Sequence, residues 1–198
     1  MMKRKIDFFF DFGSAPSYLA HTQLPGLASR TGVEVAYRPF LLGGVFKETG
    51  NTPPGSIPGK FAWFKGDMAL FAQKYGVPLT FPDVPISNTI VLMRGALVAR
   101  ELGCFGAYCD AMFKAIWVNG RNIQEEAIWV ETLTETGFEA DTFVEGIHRR
   151  EIKDQLIANT QEAIERGIFG APTFFAEGSM FFGQDRLDFV EQAVTRNH

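Results

Sequence analysis

Cysteine is scarce in this chain: 198 residues contain two, Cys104 and Cys109. Their spacing in helix-like sequence puts them on different faces of a helix, so they make neither a disulfide framework nor a redox pair and read as small apolar fillers. Histidine is equally sparse. His21, His148 and His198 are scattered, with no carboxylate or cysteine at ligand spacing, which argues against a metal site. A basic excess is missing too: 19 Lys and Arg against 23 Asp and Glu leave a formal charge of −4. Without a cationic field there is no counterion release to drive binding, so neither nucleic acid nor an anionic membrane is expected as a partner. No stretch approaches the roughly 20 apolar residues that span a bilayer. The run after Met1-Met2-Lys3-Arg4-Lys5 is broken at once by Asp7 and Asp11, leaving no secretory h-region, and the chain reads as cytoplasmic. Internal repeats and low-complexity tracts are absent. The Gly-rich residues 41–44 carry neither the lysine spacing of a phosphate loop nor a dinucleotide fingerprint.

What is present is ordinary globular composition, 46% hydrophobic and 21% charged, enough for one large domain or one domain with an insertion. Residues 5–10, Lys-Ile-Asp-Phe-Phe-Phe, suit a central strand. Ser14-Ala15-Pro16-Ser17 then places a capping residue and a first-turn proline before a helical pattern that Gly32 closes. Residues 33–39 alternate as a second strand, completing a βαβ opening with a parallel pair. Residues 42–59 hold so many Gly and Pro that a long functional loop is expected there. Residues 60–167 read almost entirely as helix, an insertion whose last helix packs back on the sheet. Strand signals return at residues 172–175 and 179–182, a hairpin turned by Glu177-Gly178, followed by a last helix. This order is that of an α/β thioredoxin-like fold, residues 1–59 and 168–198, carrying an inserted all-helical domain, residues 60–167.

In such folds the chemistry sits at the start of the first helix, where unpaired N–H groups and the helix dipole favour an anion. A redox member would carry cysteines three apart; this chain has Ser14 and Ser17 there, so dithiol exchange is excluded. A serine with no base beside it is not itself the nucleophile. It can donate a hydrogen bond to a thiolate brought by a cofactor. Lowering a thiol from pKa ~8.5 to ~6.5 takes about 2.7 kcal/mol. One hydrogen bond to a charged group contributes roughly 1.5–3 kcal/mol and a helix N-terminus up to ~2, so together they suffice. Taken alone, this segment reads first as a plain N-cap, Ser14 or Ser17, and only its context makes more of it. The second half of the site is Gly170-Ala171-Pro172-Thr173, a proline opening a strand, where Ala171 can offer its backbone N–H and C=O to a peptide-like ligand. Phe12, Phe40 and Phe46 are candidates for an aromatic pocket nearby.

The segments Phe10-Asp11-Phe12 through Ala20, Asn51-Thr52-Pro53-Pro54, Pro58-Gly59-Lys60, Trp117, residues 167–174 and residues 182–187 together resemble the 2-hydroxychromene-2-carboxylate isomerases, relatives of the kappa-class glutathione transferases in the DsbA-like branch of thioredoxin folds. The resemblance covers essentially the whole chain. It implies glutathione as cofactor, a small aromatic-derived carboxylate as substrate, a place in aromatic hydrocarbon degradation, and a homodimer. By similarity Ser14 is the catalytic residue that stabilises the glutathione thiolate. Asn51 and Lys60 approach the tripeptide, Ala171 and Pro172 hold its cysteinyl part, and Asp185 and Arg186 receive its γ-glutamyl end. Phe12, Phe40 and Trp117 line the substrate pocket. The usual first turn of the family is Ser-Pro-Tyr-Ser; here it is Ser-Ala-Pro-Ser, which leaves the substrate choice open.

The reaction implied is reversible addition of the thiolate to a conjugated carbon, ring opening, rotation and elimination. Two other readings stand beside it: net conjugation by a kappa-like transferase, and a non-catalytic thioredoxin-like module that binds peptides across Ala171-Pro172.

Overall fold

A computed structural model describes residues 4–196. Its sheet has the strand order β2-β1-β3-β4, with β1 at Lys5–Phe10, β2 at Glu34–Pro39, β3 at Thr173–Ala176 and β4 at Ser179–Phe182. β2 runs parallel to β1, while β3 and β4 add antiparallel. The parallel pair is joined through α1, Ala15–Thr31, which ends where Gly32 takes the left-handed conformation at φ 70°. The hairpin turns at Glu177 and Gly178, both with positive φ, as its sequence predicts.

β1 is buried on both faces because its aromatic run serves two cores. Phe8 and Phe10 point to one side, where Phe8 stacks at 5.4 Å from Phe10 and 5.2 Å from Phe174 of the neighbouring strand. Phe9 points to the other, against Phe40, Val45, Ala163 and Ile168. A fully buried Phe contributes roughly 1.5–3 kcal/mol, so this strand fixes the sheet position from which the site is built.

Between β2 and β3 the chain is helical. It runs through α2 (Leu42–Thr49), a short 3-10 turn at Pro54–Ser56, α3 (Pro58–Tyr75), α4 (Ile90–Glu101), α5 (Phe105–Trp117), α6 (Glu126–Glu135), α7 (Ala140–Gly146) and α8 (Arg150–Glu165). The core on the α1 side continues without a break from Phe8 and Phe10 into Met93, Leu97, Met112, Phe113 and Ile116 of α4 and α5. α8 covers the opposite face through Ala163. A 3-10 turn at Gln184–Arg186 leads into α9, Leu187–Thr195. His198, among the histidines of the sequence, lies outside the described residues.

One expectation is corrected. Residues 42–49 were expected in loop and form α2 instead. Gly43 and Gly44 are poor helix formers, but tertiary contacts outweigh propensity. The Leu42 N–H at the helix start is accepted by the Asp11 carboxylate at 2.9 Å, and Val45 is buried against the Phe9 core. At Gly44 a Cβ would stand 3.0 Å from the methyl of Thr160, so the glycine also lets α2 and α8 approach closely.

Candidate active site

The turn from β1 into α1 presents Ser14 as the N-cap of the helix. Its backbone is extended, and its Oγ accepts the Ser17 N–H at 3.1 Å. The same hydroxyl donates to the carbonyl oxygen of Ala171 at 3.0 Å. The Ala171-Pro172 peptide is cis. Ser14 is nearly buried, at 6% exposure, whereas Ala171 is half-buried, and among the described residues nothing accepts from the Ala171 N–H. The start of α1 and the strand-opening proline therefore face each other, with one hydroxyl bridging them.

The other sequence-designated residues reach this point unequally. Asn51 donates through Nδ2 to the Phe169 carbonyl at 2.8 Å, which ties the segment after α2 to the loop that carries Ala171. The Gly183 N–H donates to the Pro172 carbonyl at 2.9 Å, which brings the turn with Asp185 and Arg186 alongside. Those two form an ion pair at 3.4 Å, both partly exposed, and neither caps a helix with its side chain. Tyr75 donates to the Gln184 carbonyl at 3.0 Å and anchors the same turn to α3. Lys60 lies exposed in the first turn of α3, and no ion pair or side-chain hydrogen bond links it to the cluster among the described residues.

The expected aromatic pocket is corrected. Phe12 and Phe40 are fully buried: the Phe12 ring packs at 4.8 Å from Phe113 and 5.3 Å from Phe10, and Phe40 lies against Phe9 in the opposite core. Trp117 is also buried, and its indole N–H donates to the Phe12 carbonyl at 2.8 Å. All three rings are therefore core residues, Phe12 and Trp117 in one cluster and Phe40 in the other. The accessible rings beside the proline loop are Phe169 and Phe182, 4.7 Å apart and each about two-fifths exposed. Both stand in the sequence segments singled out above, but an apolar ring by itself gives no sign of which way it faces.

Asp11 follows β1 directly. It is buried, and its carboxylate accepts from the Gly13 N–H at 2.8 Å, the Leu42 N–H at 2.9 Å and the Thr89 hydroxyl at 2.9 Å. Burial pushes its pKa up, and those three hydrogen bonds pull against that rise. An Asp two residues before a Gly is an Asx-turn signal in the sequence. Ser17, in the place of a second redox cysteine, is fully buried, with its hydroxyl unpartnered among the described residues.

Among the described residues no group of His, Cys, Asp and Glu converges as a metal site would, and no helix is long and apolar enough to cross a membrane. Cys104 and Cys109 are free thiols.

Comparison with known proteins places this arrangement. The model of the DSBA-like thioredoxin domain matches residues 5–195. A 2-hydroxychromene-2-carboxylate isomerase of Sphingobium xenophagum is 34% identical over 192 residues, 96% of this chain and 97% of that protein. Glutathione S-transferase kappa 1 of Caenorhabditis elegans is 30% identical over 94% of this chain and 88% of its own length. Among solved structures, that of a 2-hydroxychromene-2-carboxylate isomerase superposes with a TM-score of 0.86 at 30% identity, covering 96% of this chain and 93% of that one.

Proposed function

Since the chain belongs to the 2-hydroxychromene-2-carboxylate isomerase family of DSBA-like thioredoxin domains and is an isomerase, we propose that it acts on a 2-hydroxychromene-2-carboxylate-type substrate with glutathione as its cofactor. The observation that carries this reading is the Ser14 hydroxyl, 3.0 Å from the Ala171 carbonyl at the start of α1. The residues present fit the tripeptide. Ala171 offers an unpaired N–H and a carbonyl held only by a side-chain hydroxyl, the pair that a cysteinyl amide engages.

When bound, glutathione supplies a thiolate that adds to a conjugated carbon of the substrate and leaves again unchanged. The protein's part is to hold and polarise. Ser14 donates its hydroxyl hydrogen to the sulfur, and the N–H groups at the start of α1 add the field of a helix N-terminus. Ala171, beside Pro172, holds the cysteinyl backbone. Asp185 takes the γ-glutamyl ammonium, and Arg186 with the start of the following turn takes its carboxylate. Asn51, tied through the Phe169 carbonyl to the loop that carries Ala171, approaches the tripeptide, and Lys60 is the cation for the negative charge that develops on the opening substrate. Phe169 and Phe182, rather than Phe12, Phe40 and Trp117, offer faces to an aromatic ring.

The free thiols of Cys104 and Cys109 support a cytoplasmic setting. Exposed Trp63 and Leu70, seven positions apart on α3 and 66% exposed each, support a homodimer that covers that face. A place in aromatic hydrocarbon degradation follows from the substrate class.

Net conjugation is the second reading, favoured by the similarity to a kappa transferase over most of both chains. Incubation with 2-hydroxychromene-2-carboxylate, with and without glutathione, separates the two. Isomerisation that requires glutathione and leaves its concentration unchanged supports the first, and stoichiometric thiol loss supports the second. Glutathione-independent turnover would sink both.

A further inference from the structure

Three stretches of chain converge on one buried carboxylate. Asp11 is 1% exposed. Its Oδ1 accepts from Gly13 in the turn before α1, and its Oδ2 accepts from Leu42, the first residue of α2, and from the hydroxyl of Thr89, which precedes α4. Neither Leu41 nor Thr89 caps its own helix with a side chain. The carboxylate thus lies where three helices begin, and each start favours a negative charge.

The same residue controls Ser14. The Asp11 carbonyl accepts the Ser14 N–H at 3.1 Å, and its side chain holds the intervening Gly13 N–H at 2.8 Å. Phe12, the remaining residue of the turn, is held through its carbonyl by Trp117 of α5. A Cβ at Gly13 would stand 3.1 Å from the Thr89 methyl and 3.3 Å from Ile86, so the turn packs closely against the segment that leads into α4, and a side chain there would crowd it. Every link between β1 and the catalytic hydroxyl is therefore fastened to the inserted helices or to Asp11.

We infer that Asp11 is a positioning residue for Ser14, and that the Thr89 hydroxyl bonded to it is the latch through which α4 fixes that hydroxyl opposite Ala171. The inference rests on the proposed role of Ser14 and adds to it a residue pair that touches neither cofactor nor substrate. A serine displaced by a fraction of an ångström still caps α1 and still leaves room for glutathione. It no longer aims its hydrogen at the sulfur. The loss therefore falls on kcat, while KM for glutathione stays close to that of the wild type.

Thr89→Val keeps the methyl packing and removes the hydroxyl; Thr89→Ser keeps the hydroxyl and removes the methyl. Thr89→Val is expected to lower kcat roughly tenfold, since small misplacements of catalytic groups are costly. It should also speed hydrogen exchange at the Gly13 and Ser14 amides, and Thr89→Ser should restore both. Ile152→Val, a conservative change in the buried part of α8, controls for a general loss of stability and should leave kcat unchanged. Wild-type kcat and wild-type exchange in Thr89→Val overturn the inference, as does a Thr89→Ser variant equally impaired. A wild-type protein that shows no glutathione-dependent turnover overturns the functional reading instead. The latch is then judged by the exchange rates, which need no cofactor.

Discussion

The side-chain hydroxyl of Ser14 donates to the main-chain carbonyl of Ala171 at 3.0 Å, joining the start of the first helix to a residue 157 positions later that directly precedes a cis-proline. The hydroxyl has one hydrogen to give. A ligand amide that takes over the Ala171 carbonyl releases that hydrogen, while the Ser17 N–H keeps Oγ oriented.

Ser14→Ala tests this exchange. Loss of a hydrogen bond to a charged group, about 1.5–3 kcal/mol, corresponds to a fall in kcat/KM of roughly ten- to a hundredfold. Loss of the cap should lower stability by about 1 kcal/mol. Steady-state kinetics and urea denaturation read the two effects separately. A variant with full activity removes Ser14 from the mechanism.

Asn51→Ala should behave differently, because Asn51 reaches the site through the Phe169 carbonyl at the edge of the loop. KM for glutathione is expected to rise about three- to tenfold, as loss of one neutral hydrogen bond predicts, with kcat nearly unchanged. Asp185→Asn should show the same pattern. A fall in kcat at constant KM in either variant would place that residue at the reacting atoms instead.

Gly95 of α4 tests the helical core beneath the site. A Cβ there would stand 2.1 Å from the hydroxyl of buried Tyr108 and 3.3 Å from Trp129. Tyr108 has no free direction: its hydroxyl donates to the Leu92 carbonyl at 3.0 Å and accepts the Trp129 indole N–H at 3.2 Å. Gly95→Ala is therefore expected to destabilise by roughly 1–3 kcal/mol through overpacking, measurable as a lower urea midpoint at unchanged m.

Alkaline pH should erode stability. Burial raises the Cys109 thiol well above its ordinary value, raises the Tyr37 and Tyr108 phenols, and pushes Tyr75 up to about 12. Above the ordinary thiol value the unfolded chain releases protons that the native state retains. Fewer protons bound in the unfolded state means that stability falls as pH rises. Urea midpoints should decline steadily from about pH 9 upward, where free thiols and then phenols titrate in the unfolded chain. A flat profile to pH 11 contradicts these shifts. At neutral pH Cys109 should resist alkylation until the protein unfolds.

Much of the fold was legible because it rests on local signals. The aromatic run of β1, the Ser14 cap with its first-turn proline, Gly32 and the Glu177-Gly178 turn each act within a few residues, and their order gives the thioredoxin-like arrangement. Helix α2 was not legible. Gly43 and Gly44 speak against it locally, and what stabilises it comes from Asp11, Phe9 and Thr160, far along the chain.

The site divides in the same way. The amino-acid sequence alone determined that no dithiol chemistry is available and that a serine stands at the helix start, since residue identity and capping preference suffice for both. Only the tertiary structure decided that this serine bridges to Ala171, that Phe12, Phe40 and Trp117 are buried in the cores while Phe169 and Phe182 remain accessible, and that Asp11 ties three helix starts together. The reason is physical. An aromatic ring or a carboxylate has no intrinsic address: which side faces water, and which donors come within 3 Å, depends on residues tens of positions away that the fold alone brings near.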